Sequence, residues 1–163
     1  MDFEIDVSGE DIFNKNYTIC IANKDGIIKG FKFDSKLGQV INSRHGQGLY
    51  PKYKKSNKGN ASLKVRVYCI IIYFLFKSIK KKIKNVNLAV CRDFSGREND
   101  IKINLEFLFT KLKIDLGDVM FVKLPSDSSA DHYAGLMRQD NKNKMKTYVN
   151  ITLKDIEKFL KKK

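Results

Sequence analysis

Apolar and polar positions along the chain change period several times, and each change marks an element. Phe3-Glu4-Ile5-Asp6-Val7 alternates with the period of a half-buried strand, and Ser8-Gly9 ends it. Tyr17 to Ala22 (YTICIA) is β-branched and apolar, a second strand. Asn23-Lys24-Asp25-Gly26 follows as a turn whose Asp-Gly pair suits a type I′ hairpin, and Ile27 to Phe33 is the return strand. Residues 34 to 60 are rich in Gly, Ser, Asn and Lys and read as a long loop leading into a helix. Ala61 to Lys84 reads as that helix. Val65, Tyr68, Cys69, Ile72, Phe76, Ile79 and Ile83 form its apolar stripe, and Ser62 is placed to cap it.

The second half alternates strand and helix. Val86 to Cys91 is a short apolar run suited to a buried central strand. Asp100 to Leu112 is amphipathic and helical, Val119 to Leu124 is another buried strand, and Ser129 to Met137 starts a helix. Tyr148 to Ile151 suits a short strand. Thr152 to Leu160 suits a terminal helix with Thr152 and Asp155 as a capping box. The predicted order is three strands, then helix and strand in alternation. That implies an α/β fold: a mixed sheet, with three antiparallel strands first, flanked by helices. With 163 residues and no linker or repeat, a single domain over 1–163 is expected.

Charge changes this picture more than composition does. The chain carries 32 Lys or Arg against 18 Asp or Glu. Fourteen of the basic residues and none of the acidic ones fall between Ser35 and Arg92, so the whole excess of +14 lies in the basic loop and helix of 35–92. Such a block attracts polyanions. Tyr50-Pro51-Lys52-Tyr53-Lys54-Lys55 interleaves aromatic rings with cations, which suits phosphate contact and base stacking. Arg44, Lys52, Tyr53, Lys54, Lys55, Lys58 and Lys64 are therefore the candidate nucleic-acid contacts, Lys80 to Lys84 would extend the basic face, and a lysine tail closes the chain at 161–163. An exposed flexible loop is the plainer reading of the same residues.

Cys20, Cys69 and Cys91 are scattered through apolar contexts without metal-binding spacing and read as buried reduced thiols. The opening residues 1–9 have neither a basic nor an apolar stretch, so no signal peptide is expected, and the most apolar run, Val67 to Phe76, is about half of what a bilayer requires. A cytoplasmic protein with no membrane partner is expected.

Asp6 in the first strand, Asp93 just past the fourth, and Asp127 and Asp131 after the fifth stand out by position. If the first and fourth strands are parallel neighbours, Asp6 and Asp93 open into one cleft, and a helix beginning near Asp131 adds a third carboxylate. Clustered carboxylates attract hard divalent cations such as Mg²⁺ or Mn²⁺. Two such ions about 4 Å apart support phosphodiester cleavage. Each acid also has a plainer role. Asp6 suits a turn, Asp93 an ion pair with Arg92 or Arg97, Asp131 a helix first turn, and Asp127 a loop. His132 reads as a surface residue with proton transfer as the sharper alternative.

The strand order, Asp6-x-Ser8-Gly9, Asp93, and Ser128-Ser129-Ala130-Asp131-x-x-Ala134 together resemble the ribonuclease H-like superfamily, including small archaeal proteins of that fold. The resemblance covers most of residues 3 to 137 by topology. It implies a nuclease with Asp6, Asp93 and Asp131 as metal ligands and Asp127 beside them. Its partner would be RNA, an RNA/DNA hybrid or branched DNA. In one respect the chain departs from cellular ribonuclease H: the helix 61–84 carries no acid. The junction-resolvase arrangement, with acids in strand one, after strand four and in the last helix, accommodates that difference. So does an inactive nucleic-acid-binding module.

Overall fold

The computed structural model describes residues 1–161, so Lys162 and Lys163 of the tail lie outside the described residues. Five strands form one sheet: β1 (Asp2–Ser8), β2 (Thr18–Asn23), β3 (Ile28–Lys32), β4 (Asn85–Val90) and β5 (Asp115–Phe121). Five helices accompany it: α1 (Leu37–Gly46), α2 (Asn57–Lys77), α3 (Glu98–Leu112), α4 (Ser129–Gln139) and α5 (Leu153–Glu157). The strand order is β3-β2-β1-β4-β5. β2 runs antiparallel to both β1 and β3, whereas β1, β4 and β5 are parallel. The expected α/β class, mixed sheet and parallel β1–β4 pair are all present.

The pleat divides the chemistry. Phe3, Ile5, Val86, Leu88 and Val90 are buried toward α2 and α3, where Phe3 meets Phe76 edge-on at 5.0 Å. Glu4, Asp6 and Cys20 point to the opposite face, which α4 covers with Ala134 and Met137. α2 is apolar and long enough, at 21 residues, to pass for a membrane span. Most of it is core instead: Leu63, Val65 and nearly every residue from Val67 to Phe76 are buried.

Several sequence expectations need correction. The turn between β2 and β3 is not type I′. Gly26 takes a positive φ of 84° but Asp25 does not, and a type I′ turn needs both. Asn23 organises it instead: its side-chain oxygen accepts from the N–H groups of Asp25 and Ile27. The loop 34–60 contains α1, started by Asp34, whose carboxylate accepts from the backbone N–H groups of Lys36 and Leu37. α2 begins four residues earlier than expected. Ser56, not Ser62, caps it by accepting from the Gly59 N–H. It also ends at Lys77, before a 3-10 turn at Lys80–Lys82. β5 starts at Asp115 rather than Val119. Tyr148 makes one isolated bridge to Gly30 rather than a strand. The capping box of Thr152 and Asp155 forms as expected.

Candidate functional site

β1 and β4 lead in opposite directions across the sheet, so a crevice opens beyond their carboxyl ends, the usual ligand position in an open α/β sheet. Here it is a cleft of about 500 Å³ lined by Asp6, Cys91, Arg92, Asp93, Lys123 and Asp131, among others. Three of the four expected acids therefore share one cleft. Asp127 does not; it is exposed in the turn before α4.

Asp6 is the floor of the cleft, only 8% exposed. Ser128 caps α4 through the Asp131 N–H and also donates to Glu4 of β1, and this docks the first turn of α4 against β1. Asp131 thereby lines the same cleft as Asp6, near enough to act on its carboxyl. Burial is the main cause that pushes the Asp6 carboxyl up to about 6, and the neighbouring Asp131 carboxyl adds to it. The Val7 N–H, 2.8 Å from Oδ1, and the Cys91 thiol favour the charged form and offset part of the rise.

Asp93 is held differently. The buried Tyr17 hydroxyl donates to its Oδ2 at 2.5 Å. Burial raises the Asp93 carboxyl, the Tyr17 bond lowers it, and the charge of Asp11 raises it again. The same surroundings push the Tyr17 and Cys91 ionisations far above their ordinary values, so both remain protonated. The expected pairing of Asp93 with a neighbouring arginine is absent. Arg92 donates to the Phe121 carbonyl, and Arg97 binds Asp100 and the Ser62 hydroxyl.

No protein-family model, curated protein or solved structure matches this chain. Among the described residues, no three His, Cys, Asp or Glu side chains stand close enough to hold a metal ion together. Asp6 and Asp131 share the cleft, and Asp93 is bonded to Tyr17.

The basic block splits in two. α2 starts at the cleft end of the sheet, where Lys64 pairs with Asp11 of the β1–β2 loop at 2.7 Å. It spans about 31 Å at 1.5 Å per residue over its 21 residues. Lys80 to Lys84 then lie just before β4, at the end of the sheet away from the cleft, and do not extend its basic rim. Of the expected contacts, Lys52, Lys54, Lys55 and Lys58 are exposed. Arg44 is bound to Glu157 at 2.6 Å, and Lys64 is held by Asp11. Tyr53 packs against the core, and Tyr50 is fully buried with its hydroxyl donating to Glu157, so stacking on Tyr50 is excluded. His45 is structural. It is buried, with Nε2 against the Lys54 carbonyl and Nδ1 against the Asn60 amide, and it ties the basic loop to α2. His132 is exposed. Sequence reasoning missed Tyr17, Cys91 and Lys123, because nothing local to them marks the cleft.

Proposed function

We propose that the protein binds nucleic acid and hydrolyses phosphodiester bonds with Mg²⁺ or Mn²⁺ held by cleft carboxylates, on a ribonuclease H-like fold. The strand order, with β2 alone antiparallel, and the resolvase-like placement of acids in β1, after β4 and in α4 support the fold reading. The observation that carries the function is the meeting of Asp6 and Asp131, from opposite ends of the chain, in a cleft that also holds Asp93.

The donor set fits a hard cation. All its donors are oxygens, and the burial and crowding that raise the Asp6 carboxyl are relieved when a divalent ion sits between it and Asp131. Mg²⁺ is commonly bound by one or two carboxylates with water completing its shell. When bound, the ion supplies a more acidic water and neutralises charge on the leaving oxygen. Asp6 and Asp131 hold it, and Asp93 offers a further carboxylate for a second ion. Arg92 and Lys123 on the rim suit phosphate oxygens, and Lys52, Lys54, Lys55 and Lys58 continue the cationic track.

A second reading, an inactive binding module, draws on the Tyr17 bond to Asp93 and the absence of an acid on α2. A cleavage assay separates the two. RNA/DNA hybrid, duplex RNA, single strands and a four-way junction are incubated with Mg²⁺ or Mn²⁺. Metal-dependent cutting that is lost in Asp6→Asn and Asp131→Asn supports the nuclease. Salt-sensitive binding without cutting supports the module.

A further inference from the structure

α4 covers only part of its face of the sheet. It packs on β1, β2 and β3, while α2 and α3 occupy the other face. β4 and β5 therefore present Ala89 and Met120 beside α4 without a helix over them, and Met120 is 58% exposed. Between these residues, the α4 N-terminus and the β2–β3 turn runs a groove of about 430 Å³. Its floor includes Ala22, Ala89 and Met120. Its charged residues are Asp2, Glu4 and Asp118 against Lys24 alone. On a chain of net charge +14, this groove carries more acids than bases. It repels the polyanion that the basic loop attracts.

The two edges of the sheet also differ. The β3 edge is closed, because Gly30 donates to the Thr147 carbonyl and accepts from the Val149 N–H, both at 2.9 Å. β5 forms the other edge and has no further strand beside it among the described residues. A strand added there lies about 4.8 Å from β5, and alternate side chains on the α4 face fall beside Met120 and Asp118.

We propose that this groove and the open β5 edge dock an extended, lysine- or arginine-rich segment of a partner protein. The part of the segment beside β5 pairs with its backbone, covers Met120 and meets Asp118; the rest turns across the face of the sheet, covers Ala89 and brings its cations to Asp2 and Glu4. The proposal is independent of the chemistry in the cleft. It is tested with a fluorescein-labelled short peptide of alternating lysine and valine, and with a glutamate–valine peptide as control. The lysine peptide is expected to bind more weakly as salt rises and to shift the backbone amide resonances of residues 115–121. Asp2→Lys/Asp118→Lys and Met120→Lys, both surface changes, should each weaken it at least about tenfold. Absence of binding, equal binding by the control peptide, unchanged affinity in both variants, or shifts confined to other regions would overturn the proposal. So would a protein that sediments as a dimer until Met120→Lys separates it, because the groove would then hold a second copy.

Discussion

Asp6 carries a carboxyl that burial and Asp131 push up to about 6 from an ordinary 3.8. The folded state therefore holds its proton more tightly than the unfolded state between those values. Its contribution to stability is full below about 3.8 and is lost as pH rises through 6. Asp6→Asn keeps an acceptor for the Val7 N–H and removes the charge. In chelator, the variant should be more stable than the native chain by about 1–3 kcal/mol at pH 8, with the gain fading toward pH 4. Urea unfolding across that range measures it; an Asn variant no more stable at pH 8 would contradict the buried-carboxyl account. Asp93 is the counterpart: burial raises its carboxyl and the Tyr17 hydroxyl lowers it. Tyr17→Phe should raise the Asp93 carboxyl further, read by carbon NMR titration, and cost about 1–3 kcal/mol for the lost bond to a charged group. The acids themselves were visible in the sequence because each sits at a strand end or a helix start. Tyr17 was hidden, because it reads as an ordinary strand residue and its partner lies seventy-six positions away.

At the scale of elements, β1, β2, β4 and α3 were legible because a period of two or 3.6, or a short apolar run, was uninterrupted in each. α1 was not. Leu37-Gly38-Gln39-Val40-Ile41-Asn42 has a weak stripe and poor helix formers, and the helix is held by buried Ile41 and His45 and by the Asp34 carboxylate ahead of it. The start of β5 was missed because Asp115, Gly117 and Asp118 are poor strand formers; pairing with β4 overrides them. The start of α2 depends on a tertiary fit. A Cβ added at Gly59 would lie 1.9 Å from the Lys54 carbonyl oxygen, against which the basic loop folds. Gly59→Ala should destabilise by about 1–3 kcal/mol, seen in thermal unfolding, and should raise proteolytic cleavage between Gly46 and Ser56. Unchanged cleavage would argue against that packing. Ser56→Ala, which removes only the cap, should cost about 1 kcal/mol in the same unfolding measurement.

For the whole molecule, sequence alone gave the size of the charge and its place in the chain, but not its division between two ends of the sheet. That division follows from the length of α2 and the direction of β4. Replacing Lys52, Lys54, Lys55 and Lys58 with alanine should weaken nucleic-acid binding and flatten its dependence on salt by up to about one unit of log–log slope per lost phosphate contact. Replacing Lys80, Lys81 and Lys82 should do much less. Anisotropy titrations over a salt series compare the two sets, and equal losses would contradict the placement of the strand across the cleft end. The proposed divalent-cation site on Asp6 and Asp131 is tested by calorimetric titration of Mn²⁺ into the chelator-free protein at pH 8. A saturable Mn²⁺ site that disappears in both Asp6→Asn and Asp131→Asn is the predicted result. Mn²⁺ that fails to bind, or that binds both variants as tightly as the native protein, would contradict it.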